Sequence, residues 1–597
     1  MVNTPPETNN LRTWNHPRSA QYERAREKQI LISMRTSRWK SNHARQSRNI
    51  HCQLQRAFCL LLRRTAMVAA FIAGVVIAFA EPQPTFLWVR SAAATNGASG
   101  QAIARDRFDN VYVTGNFGGT AVFGGTVLTS SAGGLFMVKY DAQGHVIWAK
   151  LAASNASVVA IVVDNAGNTY ITGTYGPAAA TFGSIVLTNL SFSSINLFVA
   201  KYDSLGNPEW ARPAGSPYGF VNGAAIAVDS RTNVYVTGYS SGQAQFGDVL
   251  GPSTGVFLVK YDSAGTALWA QAVARGVDGQ GVTLLGTSGH GISIDASDNI
   301  YLCGAAETGG GLSNGRLFIS KLDGSGNLLW LRSIDGNGRF SHGSSISVHP
   351  AGGVCITGTL PGGSGTVYFD AIALTNQALP AVFIARCDAS GQVLWANASF
   401  TADSFGTGAF GRGIGLDSSG NAYITGYFNS SNLQFGASFI QNANHQPPSA
   451  SDDVFIAEYD PAGNVVWAAS AGGIDSDEAY ALTVDHQANL YVAGAYSTTK
   501  GPARFGGILL TNQVTQDVFV AKIGVPPPEM MIRPSGKALL IWWSSAYPEF
   551  VLQANGNVSA PINWTNVLTA PVPLGGQLVV VDPADKPQKF FRLIKPQ

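Results

Sequence analysis

The densest acidic stretch in the chain is DSDEAY, which places Asp475, Asp477 and Glu478 within four residues. A hard cation such as Ca²⁺ takes about six to eight oxygen ligands. These three carboxylates are therefore the candidate metal site, and Ca²⁺ is the one candidate cofactor in a chain otherwise expected to hold none. Turns such as DASDN and DNAGN offer only one or two carboxylates each and read as structural. A second polar set recurs at one place in a repeated pattern. Gln101, Asn222, His290, His342, Arg412 and Glu478 all lie close to the start of a short alternating segment. Amide, imidazole, guanidinium and carboxylate groups brought together in this way could coordinate a small polar ligand. No G-x-S-x-G elbow, HExxH or P-loop occurs, and no CxxC or Cys/His spacing suits a metal. No residue is assigned a catalytic role. Cys303, Cys355 and Cys387 fall inside predicted strands where sister segments carry Thr or Tyr, so they read as small buried hydrophobes.

The segments that must position these residues form a repeat. Seven copies run from about Gln101 to Ile523. The third, AAIAVDSRTNVYVTGYSSGQAQFGDVLGPSTGVFLVKYDSAGTALWA, shows four strands, a to d. Strand a is AIAVD, strand b VYVTGY, strand c VFLVKYD and strand d ALWA. Alternating apolar residues rich in β-branched and aromatic types argue for strands. Asp-x-x-Gly-Asn and Asp-x-x-Gly between them suit tight turns, because Gly and Asn tolerate positive φ. A four-stranded sheet cannot bury both faces by itself. Radial repetition solves this by packing each sheet on the next, as in a β-propeller.

The strand census gives the number of sheets. Strands a, b and c occur seven times, but only six Trp-bearing d strands follow them, at Trp148, Trp210, Trp269, Trp330, Trp395 and Trp467. The seventh copy breaks off at FVAKIGVPPPE. A matching strand, TFLWVRSA with Trp88, stands before the first copy and 60 residues from Trp148, within the spacing of the series. The expected fold is all-β: a seven-bladed β-propeller closed by an N-terminal strand at Trp88, plus a small C-terminal β-sandwich. The domains read as a basic leader at 1–66, a signal-like segment at 67–80, the propeller at 81–524, a proline linker at 525–529 and the sandwich at 530–597.

The motifs D-x-x-G-N-x-Y-V-T-G-x-F and F-V-x-K-Y-D-x-x-G-x-x-x-W resemble the bacterial β-propeller repeat called SBBP. The resemblance covers roughly residues 84–523. Copies four and five depart most, with YLCGAAETGGG and SVHPAGGVCITG, which implies altered turns in those blades. The tail residues Trp542, Trp543, Trp564 and Phe590–Leu593 resemble a small sandwich domain that ends many secreted bacterial proteins. The resemblance implies a secreted or surface propeller and no single activity. KYDxxGxxxW is also similar to the Trp-docking repeats of quinoprotein dehydrogenases, in which that Trp is structural.

Charge supports export and argues against a nucleic-acid partner. Residues 1–66 carry thirteen Lys and Arg against three Asp and Glu, and the rest of the chain is mildly acidic. A body without clustered positive charge does not suit phosphate backbones. Arg63 and Arg64 precede the apolar run Met67–Ala80, which ends in a small-x-small site. The chain is expected outside the cytoplasm: extracellular, periplasmic or on the cell surface. Membrane contact is expected only if the apolar run stays uncleaved. The expected function is a monomeric scaffold for protein or glycan binding. The alternative is a propeller enzyme acting on polysaccharide, or a quinoprotein-like oxidoreductase. Both would use the face where the d–a and b–c connections emerge, since function tends to sit on variable loops carried by a rigid scaffold.

Overall fold

Alternating apolar residues become seven antiparallel sheets among the described residues, each built on four strands and three of them extended to six or seven. The computed structural model describes residues 83–597, leaving out 190–194, 279–280, 309–314, 336–341, 364, 377–378, 402–406, 445–450, 512–514, 527, 536–537, 546–549, 557–563, 576, 584–588 and 595–597. The basic leader and the apolar run Met67–Ala80 lie outside the described residues. In blade 1 the strands are Ala98–Arg105, Val111–Phe123, Thr126–Tyr140 and Val146–Ser154. The innermost strands of the other blades are Ala156–Val163, Phe220–Val228, Thr283–Ile294, His342–Val348, Ala409–Leu416 and Glu478–Val484. Each innermost strand touches the next, and the seventh touches the first.

Blade 7 takes its outer strand from the other end of the described chain. Thr85–Ser91 pairs antiparallel with Asp517–Gly524, with Trp88 opposite Lys522. This matches the other blades, where Trp148 lies opposite Lys139 and Trp269 opposite Lys260.

The a–b turns of the form Asp-x-x-x-Asn are tied into the core, and the fourth residue takes a positive φ even where it is not Gly, as at Asp109, Thr232, Asp298 and Ala488. Asp229 accepts hydrogen bonds from the backbone and side chain of Asn233 and from the Tyr235 hydroxyl at 3.1 Å. Lys260 lies over the Tyr235 ring, 4.8 Å from its centre, and 3.6 Å from the Asp229 carboxylate. Burial works against ionisation of Asp229, but the Asn233 and Arg231 hydrogen bonds and the Lys260 charge outweigh it and hold the carboxyl below its ordinary range. Blade 5 carries a matched set of replacements. His349 stands for Asp, Gly353 for Asn and Arg386 for Lys, with the Arg386 guanidinium 3.2 Å from His349 Nδ1.

The strand-d tryptophans join the blades. Trp148 donates its indole N–H to Ser204 O, Trp210 to Ser263 O, Trp330 to Ala389 O and Trp395 to Pro461 O, each in the next blade's c–d turn, at 3.0–3.3 Å. Trp88 does the same across the junction of blades 7 and 1, donating to Ala142 O at 3.2 Å. Trp467 has no such turn to meet, because strand c of blade 7 leads away into the tail. Its indole N–H turns instead to the Glu458 carboxylate, which stands where other blades carry Lys or Arg.

The b–c connections are more ordered than variable loops. Their Phe-Gly steps form small hairpins, as at Ala180–Phe182 with Ile185–Leu187. The Phe stacks on the strand-c Phe of its own blade, Phe182 on Phe198 at 4.9 Å and Phe505 on Phe519 at 4.8 Å. The hairpin also pairs with the outer strand of the preceding blade, as Ser154 with Thr181 and Ala214 with Phe246. It therefore latches two blades and covers an open sheet edge.

The three described cysteines are unpaired and buried, and burial pushes the Cys303 and Cys355 thiols up to about 12. The tail has two small antiparallel sheets, led by Ala538–Ser544 and Val551–Asn555, around Ile541, Trp543, Leu552, Leu578 and Val580.

Removing the Trp88 side chain strips a buried indole from the junction of blades 7 and 1. Trp88→Ala is expected to cost about 3–5 kcal/mol in urea unfolding, and deleting residues 83–92 more. Wild-type stability in both would show that the ring does not depend on this strand.

Candidate functional site

All seven innermost strands carry a β-bulge at the same level. The register against strand b skips one residue between Gly100 and Ala102, Val158 and Ala160, Gly223 and Ala225, Gly289 and Gly291, Gly343 and Ser345, Gly411 and Gly413, and Ala479 and Ala481. The close approach is made at a strand-b Gly, which follows Thr in five blades, Cys303 in blade 4 and Ala493 in blade 7. A Cβ on Gly115, Gly173, Gly238, Gly304, Gly426 or Gly494 would run into the strand-a carbonyl two residues before the skipped one, and into the ring edge of the strand-c Phe. Only glycine lets that carbonyl sink this close. The preceding Thr fixes strand b by donating to the same Phe carbonyl, Thr237 to Phe257 O and Thr425 to Phe455 O at 2.8 Å.

A bulge re-aims the side chain of its extra residue. Here the extra residues are Gln101, Val159, Ala224, His290, Ser344, Arg412 and Tyr480, and all seven line one central cavity of about 370 Å³. Two positions further along, Ile103, Ile161, Ile292, Ile346, Ile414 and Leu482 line the same cavity and give it an apolar floor. Around the ring, His290, Ser344, Arg412, Tyr480 and Gln101 make a polar arc, while Val159 and Ala224 make an apolar one. The lining contains no carboxylate among the described residues.

Of the six polar residues singled out from the sequence, Gln101, His290 and Arg412 are ring members. Asn222 and Glu478 are not among the lining residues; each stands two positions before its bulge. Burial, followed by the charge of the nearby Glu478 carboxylate, raises the Tyr480 phenol. His342 opens its strand in blade 5, and its side chain lies outside the described residues. Its ring counterpart is Ser344. The missed members, Val159, Ala224, Ser344 and Tyr480, could have been found by aligning the seven copies on the residue fourteen positions before the Gly of Thr-Gly in the regular copies, such as Gln101 before Gly115 and Ala224 before Gly238.

The carboxylates of DSDEAY do not converge. Asp475 accepts from the Thr499 hydroxyl and the Lys500 amide. Asp477 accepts from the amides of Gly473 and Ser497. Glu478 turns to Tyr480. No group of three His, Cys, Asp or Glu suited to a metal ion is present among the described residues. Asp477 instead faces Asp453 across Gly472, where Asp453 Oδ1 is buried without a hydrogen-bond partner. Burial, followed by the Asp453 charge, pushes the Asp477 carboxyl up to about 8, and burial does the same to Asp453. The pair sits where Gly472 bridges to Arg504 of the blade 7 hairpin, so it belongs to the latch between blades 6 and 7.

Comparison with known proteins places the repeat. The model of the SBBP β-propeller repeat matches residues 209–244 and 406–434, so the chain carries β-propeller repeats of this kind. An uncharacterized WD repeat-containing protein of Acanthamoeba polyphaga mimivirus is 24% identical over 475 residues, which cover 65% of this chain and 33% of that protein. The chain thus spans about a third of the length of this curated relative. Among solved structures, a streptogramin B lyase is similar at 9% identity and a TM-score of 0.36, over 74% of this chain and 98% of the lyase chain. A gluconolactonase from Xanthomonas campestris is similar at 11% identity and a TM-score of 0.26, over 60% of this chain and 90% of its own.

The Asp453–Asp477 pair makes stability depend on pH. Unfolded Asp titrates near pH 4, whereas the folded pair holds its protons to about pH 8. Its contribution is therefore fully present below about pH 4 and falls as pH rises to about 8. Asp453→Asn keeps an acceptor for the Ala443 amide and removes one ionising group. The drop in urea midpoint between pH 5 and pH 8 is expected to shrink in this variant; an unchanged drop would show that the pair is not its source.

Proposed function

We propose that this β-propeller is an exported binding scaffold that engages a protein or glycan through the face where the bulge ring opens. The observation that carries the reading is the convergence of seven bulged side chains, one from each blade, on a single cavity. A rigid ring that presents one variable side chain per blade is a recognition platform. Support also comes from the uses found for the other groups that could do chemistry. The turn Asp residues hold their own turns, the Trp residues join blades, and the paired carboxylates at Asp453 and Asp477 are almost wholly buried, at 1% and 0% exposed, beyond the reach of a substrate. Export rests on the basic and apolar layout of the first 80 residues, which would place the ring outside the cytoplasm.

The test is a screen of the full chain against a glycan array and a panel of cell-envelope proteins, repeated with Arg412→Ala and Glu478→Ala. A partner that loses at least about tenfold in affinity with either substitution supports this face, since a hydrogen bond to a charged group is worth about 1.5–3 kcal/mol. A partner bound equally well by both variants places recognition elsewhere.

A further inference from the structure

Among the described residues Arg412 is the one permanently charged side chain in the wall of the central cavity. Its Nη2 donates to the Tyr427 hydroxyl at 2.7 Å, and its guanidinium stacks 5.2 Å from the centre of that ring. Tyr427 is braced in turn by Phe410, at 5.2 Å between centres. The guanidinium is therefore held in place, and no carboxylate pairs with it among the described residues. Among the described residues its remaining N–H groups have no hydrogen-bond acceptor, and they form an edge suited to a planar two-oxygen anion. The neighbouring ring member, Ser344, has its Oγ buried in the same wall without a hydrogen-bond partner. A buried polar atom left unpaired costs free energy until something satisfies it.

The rest of the ring narrows the ligand. Gln101 spends its Nε2 on Ser99, which leaves the amide oxygen as an acceptor. Opposite this polar arc, Val159 and Ala224 with the isoleucine floor offer a C–H surface. The cavity, at about 370 Å³, is near the lower end of ligand pockets, which run from about 300 to 1,000 Å³. One carboxylate, several hydroxyls and an apolar ring face in so small a space describe a sugar acid.

We propose that the mouth of the central channel binds a single uronic-acid ring, with its carboxylate on Arg412 and Ser344 and its C–H face toward Val159 and Ala224. This rests on the scaffold reading above and names the ligand class of that same face. A free sugar acid and the end of an acidic glycan both present this ring with the same groups.

Calorimetric titration of the full chain tests this with glucuronate, glucose, sulfate and an oligouronate. Glucuronate is expected to bind, with glucose and sulfate at least about tenfold weaker. Arg412→Gln should weaken glucuronate at least tenfold, and Ser344→Ala by a smaller factor, with neither urea midpoint lowered. An oligouronate that binds more tightly than glucuronate supports a glycan end, and equal binding supports the free acid. Equal affinity for glucose, tighter binding of sulfate, or wild-type binding by Arg412→Gln overturns the proposal. If glucuronate fails while the screen still finds a partner sensitive to Arg412 or Glu478, the uronate proposal falls and the scaffold reading stands. If the screen fails as well, both fall.

Discussion

The shape of this ring depends on a backbone carbonyl pressed against a glycine. In strand b, the Gly of Thr-Gly leaves room for the strand-a carbonyl and for the edge of the strand-c Phe. That close approach accompanies the skip in register that turns one side chain per blade toward the axis. The same Phe stacks on the Phe of the b–c hairpin, and the hairpin pairs with the preceding blade. One line of contacts thus runs from the channel to the outer edge. The bulge that aims the channel-facing side chains and the latch that joins the blades share a single ring.

A second device holds the other end of each blade. Outside blade 6 the docking Trp meets the c–d turn of the next blade, and in blades 1, 3, 4 and 7 a Lys bridges the Tyr and Asp of its own a–b turn. Breaking the chain in blade 7 removes one such turn, and the consequence is local. Trp467 loses its carbonyl acceptor, and Glu458 supplies a carboxylate in its place, half-buried and raised above its ordinary range by desolvation. A cleft of about 880 Å³ opens beside this corner, lined by Trp88, Tyr423, Glu458, Trp467 and Lys522 among others.

What could be read from the sequence follows from which forces leave a periodic mark. Alternation along strands b and c, the Asp and Asn of the turns and the recurring Trp are local signals, and they revealed the sheets and the displaced strand at Trp88. A bulge leaves no mark in hydrophobic alternation, because it is a mismatch between two strands. Reading strand a without it put Asn222, His342 and Glu478 in the set, two positions short of Ala224, Ser344 and Tyr480. The Phe-Gly latch was hidden for a similar reason, since its partner strand belongs to the preceding blade. The acidic run DSDEAY looked like a cation site because its residues are close in sequence, yet backbone amides on separate loops draw its carboxylates apart.

The unfolding free energy of Gly426→Ala compared with wild type, measured by urea titration, tests the central constraint most directly. Gly426 faces Phe410 O beside the bulge that carries Arg412, and a Cβ there would also sit 2.8 Å from the Phe455 ring. Neither neighbour is a flexible side-chain end, so the strand itself must shift. The account predicts a loss of at least about 1–3 kcal/mol, the usual cost of overpacking. A variant within about 0.5 kcal/mol of wild type, the range of an ordinary surface substitution, would contradict it.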